Sequence, residues 1–249
     1  MLKTLQDLFD QLHLDAFSKD LESILNRHPQ AREAILDALT SLAEAESARR
    51  KERNVQYRIR QAQFGQIQTA ETFDFGYNPS TLKLKNRYFK LLEADIPAQG
   101  LSVLFVGTSG LGKTHLARAL GYRLCQQNRR VRFATLGKMA LDLTTAEATG
   151  TLKKAMLAYT RPALFILDEV GYAVLREPES NLVFQILSQR YETRRSTAVT
   201  TNKPFGEWNQ IFHNDAMAHA IIDRLAERSE VFHLEGKSYR ETHRQRLKL

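Results

Sequence analysis

Residues 107–114, GTSGLGKT, combine three glycines with a lysine and a threonine. The spacing Gly-x-x-x-x-Gly-Lys-Thr is that of a phosphate-binding loop. Glycines let backbone N–H groups approach a triphosphate without obstruction by side chains. Lys113 is predicted to bind the β- and γ-phosphate oxygens, and Thr114 to offer its hydroxyl to Mg²⁺. The predicted nucleotide-binding residues are Gly107, Thr108, Ser109, Gly110, Leu111, Gly112, Lys113, Thr114 and His115.

Two carboxylates come directly after a second apolar run, Ala163 to Leu167. Asp168 is predicted to hold Mg²⁺, and Glu169 to act as general base toward an attacking water. An acidic pair alone is typical of a solvated turn, but a pair that ends a buried strand in a chain with a phosphate loop indicates nucleotide chemistry. The second carboxylate favours hydrolysis over transfer to another acceptor.

A polar residue also ends the run Ser196 to Thr201, since Asn202 follows it. An amide at this position could orient the attacking water and sense the γ-phosphate. Alone, the stretch would indicate a strand end and a turn before Pro204. Together with the two preceding features, it predicts that Asn202 belongs to the site.

The composition is that of a globular protein large enough to bury a core, with 249 residues and 43% hydrophobic residues. No apolar run reaches the length of a membrane span, and the N-terminus lacks a signal pattern. Cys125 is the one cysteine, and the seven histidines are scattered, so a zinc site is not expected. We therefore expect a soluble, cytoplasmic protein.

The spacing of apolar residues along the sequence changes near residue 100. Residues 1–62 have helical spacing with a turn near Pro29, and the later chain alternates short apolar runs with helices. This alternation predicts a parallel α/β sheet with helices on both faces. We expect a helical domain at 1–63, a linker at 64–80 whose aromatic residues pin it to the following domain, and a nucleotide-binding domain at 81–249. The predicted strands are Leu101–Val106, Val131–Thr135, Ala163–Leu167, Ser196–Thr201 and Val231–Leu234.

Four motifs together resemble the IstB-like helper ATPases of bacterial insertion sequences, relatives of the helicase loaders and replication initiators among the AAA+ ATPases. The motifs are GTSGLGKTHLA, LFILDEVGY, RRSTAVTTNKPFGEW and IIDRLAERSEVFHLEGKSYR. The resemblance covers about Ala62 to Arg240. It implies an AAA+ core with a five-stranded parallel sheet, which the helical residues 1–63 precede as a small all-α domain. Only 47 residues follow Asn202, too few for the full helical lid of larger relatives, so we expect a reduced or absent C-terminal lid.

The same resemblance implies a homo-oligomer, as a ring or helical assembly, with ATP at the junction between subunits. Arg224 matches the arginine that stabilises the γ-phosphate of the neighbouring subunit, and Arg228 is the second candidate. The alternative for Arg224 is a surface ion pair with Asp223 or Glu227. Arg240 matches a second sensor position, with a structural ion pair as the alternative.

Positive charge is concentrated in two segments of this basic chain, whose net charge is +8. Residues 1–48 carry −5, residues 49–60 carry +5, and residues 236–249 carry +4. The resemblance implies sequence-nonspecific duplex DNA and a cognate transposase as partners. A solvated helical linker is the alternative for the basic segment, and internal packing, subunit contact and partner docking remain open for the acidic one. The DNA-contact candidates are Arg49, Arg50, Lys51, Arg53, Arg58, Arg60, Lys153 and Lys154.

The leading hypothesis is an ATP- and Mg²⁺-dependent helper of transposition. Its ATP-bound subunits assemble on and deform target DNA and recruit the transposase, and hydrolysis drives release. One alternative is a helicase loader of the same superfamily, because the ATPase core is shared. Another is a nucleotide-switched scaffold that does not hydrolyse ATP, against which Glu169, Asn202 and Arg224 argue. A small-molecule kinase is a distant alternative, since no acceptor-binding motif stands out.

Overall fold

The computed structural model describes residues 2–242, and its chain divides into two compact units, one ending at Tyr57 and one beginning at Arg58. The last residues of the basic tail, 243–249, lie outside the described part. Within the described residues, no helix is both long enough and apolar enough to cross a membrane.

The N-terminal unit is helical, as predicted. It contains α1 (Leu2–Gln11), α2 (Asp15–Arg27) and the beginning of α3 (Arg32–Ala62). The sequence pattern did not separate α1 from α2; the chain turns at His13, which has a φ of 56°. The leucine stripe of this unit forms its apolar core. That core consists of Leu5, Phe9, Leu12, Leu21, Leu25, Leu36 and Ala43.

The second unit contains a parallel five-stranded sheet with the strand order β2-β3-β4-β1-β5. All five predicted strands are present, and β3 continues three residues past its predicted end, to Val170. The strands are β1 (Ser102–Val106), β2 (Val131–Thr135), β3 (Leu164–Val170), β4 (Ser196–Thr201) and β5 (Ser229–His233).

Helices separate most of these strands. They are α4 (Pro79–Glu93), α5 (Ile96–Gln99), α6 (Lys113–Gln126), α7 (Leu136–Ala148), α8 (Leu152–Thr160), α9 (Glu177–Glu192) and α10 (Asp215–Ala226). A 3₁₀ turn, Phe205–Gln210, precedes α10. After β5 the described residues hold one further helix, the four-residue α11 (Tyr239–Thr242).

Side chains alternate between the two faces of the sheet along each strand, and both faces are covered by helices. Leu104 and Val199 belong to the apolar cluster formed with α7, α8, α9 and α10. Phe105 and Ile166 lie on the opposite face, where Phe105 contacts the ring of Tyr88 from α4. Because both faces are covered, β1 and the first four residues of β3 are almost continuously apolar, whereas β4 is equally buried but rich in serine and threonine.

A buried arginine fastens the turn that leads into β3. Arg190 of α9 is 1% exposed, and its Nη1 donates to the carbonyl oxygens of Tyr159 at 2.7 Å and Pro162 at 3.1 Å. Its Nε donates to Thr197 Oγ1 at 3.1 Å, and its Nη2 donates to the Ser196 carbonyl oxygen. Burial lowers the pKa of Arg190 to about 9, and the nearby charge of Arg195 also lowers it.

Arg190→Met should lower the unfolding free energy of this unit by about 3 kcal/mol, because several buried carbonyl groups lose their hydrogen-bond donor. The measurement is urea-induced unfolding followed by circular dichroism. Arg195→Met is the matched control, since Arg195 is exposed and donates to the carbonyl oxygen of Arg161 at 2.7 Å. Equal losses in the two variants would contradict this role for Arg190.

Candidate functional site

The predicted phosphate loop joins the end of β1 to the start of α6. Gly107, Gly110 and Gly112 have φ values of 153°, 82° and 84°, a region that disfavours side chains. A Cβ on Gly107 would overlap the carbonyl oxygen of Leu234, and a Cβ on Gly112 would overlap the ring of Phe73. The loop therefore requires glycine for its conformation and for close approach of neighbouring chain segments.

Lys113 lies at the first position of α6 and is 8% exposed. Its Nζ donates to the carbonyl oxygen of Thr108, across the loop, at 2.6 Å. Burial lowers the pKa of Lys113 to about 8; the carboxylate of Asp168 opposes this shift and the charge of Arg240 adds to it. The buried ammonium group is thus poorly compensated, which favours binding of an anion.

Asp168 and Thr114 meet at the end of β3. The Thr114 hydroxyl donates to Asp168 Oδ1 at 2.8 Å, and the buried hydroxyl of Thr200 on β4 donates to the same oxygen. Asp168 is 2% exposed. Because the Thr114 proton is directed at Asp168, its oxygen lone pairs remain able to bind a hard cation.

Glu169 and Asn202 line one cavity with the phosphate loop. Glu169 is exposed and has a φ of 60°, a left-handed conformation that is unusual for a residue other than glycine. Asn202 Oδ1 is buried and has no hydrogen-bond partner in the described part of the chain. An unpaired buried amide oxygen is costly, so it indicates a ligand or water at this position.

The cavity has a volume of about 500 Å³, within the range of small-molecule sites. It contains Ser109 to His115 of the loop and α6, Glu169 and Asn202. Gly107 and Thr108 lie at the start of the loop, outside the cavity lining, and Asp168 lies beneath it. The predicted core of the site is therefore gathered in one place.

The segment from Gln66 to Asn78 forms another wall of this cavity. His115 holds it, since Nε2 of the ring bonds the carbonyl oxygen of Thr69 at 2.8 Å and the ring contacts Phe73 edge to face. Burial lowers the pKa of His115. The aromatic residues pin this segment to the nucleotide-binding unit, as predicted, but its place in the site was not predicted from the sequence.

The C-terminal segment closes the cavity from the other side. The Tyr239 N–H donates to the carbonyl oxygen of Gly110 at 3.0 Å, and Tyr77 Oη donates to Thr242 Oγ1 at 2.6 Å. Arg240 lines the cavity, where its charge lowers the pKa of Lys113. Arg118 also lines it, although it was not predicted to do so. It lies one helical turn after Thr114, a spacing that places both residues on the same face of α6.

Arg224 lies away from this cavity. Its half-buried guanidinium lies 5.2 Å from the ring centre of Phe184 and donates to the carbonyl oxygen of Ala220 at 2.8 Å. It shares a small recess with Ser102, the first residue of β1, whereas the phosphate loop follows the last residue of that strand. The two ends of β1 are about 13 Å apart. Arg228 is exposed, and its Nε lies 3.6 Å from Glu227 Oε1.

The basic candidates are divided between the two units. In the N-terminal unit, Glu46 pairs with Arg50 at 2.7 Å and with Arg53 at 3.1 Å. In the second unit, Arg58 donates to Asn128 Oδ1 at 3.2 Å. Arg49, Lys51 and Arg60 are exposed on α3, and Lys153 and Lys154 are exposed on α8.

The oxygen donors around Thr114 suit a magnesium ion that also binds substrate phosphates better than a metal ion held by protein side chains alone. Among residues 2–242 there is no group of three or more His, Cys, Asp or Glu side chains arranged to hold a metal. Mg²⁺ in phosphate-loop sites is held by one or two protein oxygens together with substrate phosphates. The Thr114 hydroxyl and the Asp168 carboxylate supply oxygens of this kind.

Relatives from insertion sequences match this chain over nearly its whole length. The insertion sequence IS5376 ATP-binding protein of Geobacillus stearothermophilus is 30% identical over 96% of this chain and 94% of its own. The IS21 ATP-binding protein of Pseudomonas aeruginosa is 30% identical over 95% of this chain and 88% of its own.

The fold is that of the AAA+ ATPases. A solved structure of the DnaC helicase loader superposes with a TM-score of 0.60 and 20% identity, covering 67% of this chain and 96% of that one.

A family model described as IstB-like ATP binding protein matches residues 7–247. This chain therefore belongs to the IstB-like family of insertion-sequence ATP-binding proteins.

Proposed function

We propose that the protein is a Mg²⁺-dependent ATPase that binds duplex DNA and assists transposition. The observation that carries the proposal is that Ser109 to His115, Glu169 and Asn202 line the same cavity, with Asp168 bound to Thr114 beneath it. The insertion-sequence relatives, described as ATP-binding proteins, support ATP as the ligand and transposition as the setting. Likeness to a helicase loader concerns the fold alone.

In this proposal, positively charged and N–H groups of the loop bind the negatively charged phosphates of ATP. The backbone N–H groups of the phosphate loop and the positive end of α6 bind the β-phosphate. The Lys113 ammonium exchanges its bond to the Thr108 carbonyl for the β- and γ-phosphate oxygens. The nucleoside part extends past His115 toward Phe73 and the Gln66–Asn78 segment, which supplies aromatic and amide groups.

Hydrolysis uses the polar ends of β3 and β4. Glu169 accepts a proton from the water that attacks the γ-phosphorus, and the Asn202 amide orients that water. The bond from the γ-phosphorus to its bridging oxygen breaks, and ADP leaves with that oxygen. The Thr114 hydroxyl and the Asp168 carboxylate would hold Mg²⁺, which would supply positive charge against the phosphate oxygens. Arg240 contributes a further positive charge from the same chain.

Arg224 completes the site of a neighbouring subunit. In its own chain it lies near the amino end of β1, opposite the phosphate loop, so it serves a second copy of the chain. An arginine supplied in trans stabilises charge on the transferred phosphoryl group and makes turnover depend on assembly. This dependence is suited to a helper that acts as a homo-oligomer on DNA.

DNA binding in this proposal uses nonspecific phosphate contacts. The exposed cations Arg49, Lys51 and Arg60 lie on α3, and Lys153 and Lys154 lie on α8. Contacts of this kind neutralise backbone phosphates and carry no base sequence information. ATP-bound subunits assemble on and deform the duplex, recruit the transposase, and leave after hydrolysis.

Glu169→Gln should retain ATP binding and lose at least about 100-fold in turnover, because the amide cannot accept the water proton. Without hydrolysis, the variant should accumulate on duplex DNA. The measurements are steady-state ATP turnover with and without duplex DNA at low salt, and DNA retention by filter binding.

Glu147→Gln is the matched control for this test, because Glu147 is exposed on α7 and lies outside the cavity lining. It should behave as the wild type does, with turnover that DNA stimulates. Wild-type turnover that DNA fails to stimulate at any salt concentration would refute the DNA-dependent part of the proposal.

Mixing two inactive variants tests the action of Arg224 in trans. Arg224→Ala alone and Glu169→Gln alone should each be inactive. In an equal mixture, about a quarter of the interfaces combine an intact Glu169 with an intact neighbouring Arg224, so about a quarter of wild-type turnover should return. A mixture as inactive as its components would argue that Arg224 does not act across a subunit interface.

A further inference from the structure

The neighbourhood of Glu169 contains an irregularity in the sheet. The pairing of β3 with β4 runs from Leu167 with Val199 to Val170 with Thr201, so β3 has one extra residue in this interval. Such a bulge interrupts the ladder and redirects a side chain. It coincides with the left-handed φ of 60° at Glu169, whose side chain is exposed to the cavity.

Thr200 compensates the interruption. Its Oγ1 accepts the Glu169 backbone N–H at 3.0 Å, in place of a ladder carbonyl. The same hydroxyl donates its proton to Asp168 Oδ1. Thr200 is 1% exposed, so water does not substitute readily for either bond. One buried hydroxyl therefore links both acidic residues of the site.

Neighbouring hydroxyls of β4 have other partners. Thr197 accepts from Arg190 Nε at 3.1 Å, near the amino end of the strand. The Thr201 hydroxyl donates to the Lys203 carbonyl oxygen and accepts from the Lys203 N–H, at 3.1 Å each. The hydroxyls of Thr197 and Thr201 thus find hydrogen-bond partners outside the acidic pair. Bonding to Asp168 and Glu169 is therefore particular to Thr200 and not a general property of threonines in β4.

We propose that Thr200 is a positioning residue for hydrolysis, which rests on the proposed ATPase function. Its hydroxyl fixes the rotation of the Asp168 carboxylate and holds the Glu169 backbone in the conformation that presents the general base. Thr200 lines the cavity, but its hydroxyl is occupied by these two bonds within the chain, so it acts through Asp168 and Glu169. Its removal should affect the catalytic step and the Mg²⁺ requirement, and should leave nucleotide binding by the phosphate loop intact.

The strand also connects this linkage to Asn202, two residues farther along. A Cβ on Gly171, just after β3, would overlap Asn202 Oδ1. The carboxyl ends of β3 and β4 are therefore close to each other at two places. At one, Thr200 bonds Asp168 and Glu169; at the other, Asn202 lies against Gly171. A change at Thr200 is therefore expected to reach the residues that face the attacking water.

Thr200→Val deletes the hydroxyl while keeping the branched shape and the preference for a strand. Turnover with saturating ATP and duplex DNA should fall about 10- to 100-fold, the size expected for losing a hydrogen bond to a charged group. Half-maximal activity should require more Mg²⁺. Affinity for a fluorescent ATP analogue in EDTA should be unchanged, and Thr200→Ser should restore turnover to within about threefold of wild type.

Thr197→Val is the matched control, because it also deletes a buried hydroxyl from β4 but lies at the other end of the strand. Thermal unfolding of all three variants reports any general loss of stability. Wild-type turnover and Mg²⁺ dependence in Thr200→Val would overturn the inference, as would equal defects in Thr200→Ser or Thr197→Val. A wild-type chain without turnover would instead overturn the proposed function and this inference together.

Discussion

The parallel pairing of β1, β3 and β4 is the constraint on which the candidate site depends. Since the strands run in the same direction, their carboxyl ends meet at one edge, where Gly107 follows β1, Asn202 follows β4 and Asp168 lies near the end of β3. The backbone continues this pairing into the loop, because the Gly107 N–H donates to the Thr201 carbonyl oxygen at 3.2 Å. Ligands of open α/β sheets bind at this edge for the same reason.

Close backbone approach is the second requirement. The phosphate loop lies between the segment that contains Phe73 and the segment that follows β5 at Leu234, and glycines at positions 107 and 112 leave the space for both. The segments on either side also line the cavity, so the walls that shape the nucleotide site are the same ones that restrain the loop. Lys113 is buried within this arrangement, which couples the packing of the loop to its affinity for anions.

Local patterns account for the parts of the site that the sequence predicts. The glycines of the loop and the acidic pair after Leu167 each lie within one short stretch of sequence, and β1 and the start of β3 are apolar because both faces of the sheet are covered. The bulge at Glu169, the bonds of Thr200 and the carbonyl cluster around Arg190 depend on register and on contacts between distant segments. No short window of sequence contains that information, so these features emerge from the structure.

The wall formed by Gln66 to Asn78 illustrates the same limit. Gly76 within it, and Gly65 and Pro79 on either side of it, are typical of a connector, and its aromatic residues predict attachment to the following domain. Which surface they would attach to depends on His115, 42 residues after Phe73 and paired with its ring. A role in the nucleotide site could be assigned only after that contact was known.

Retention of ATP by the purified chain tests the central claim most directly. Equilibrium dialysis with radiolabelled ATP and Mg²⁺ should give about one bound ATP per chain for the wild type, since each chain has one phosphate loop. Lys113→Ala should lose most of that binding, because the buried ammonium is the main side-chain charge that faces the phosphates. Wild-type protein that retains no ATP, or a Lys113→Ala variant that retains as much as the wild type, would contradict the account.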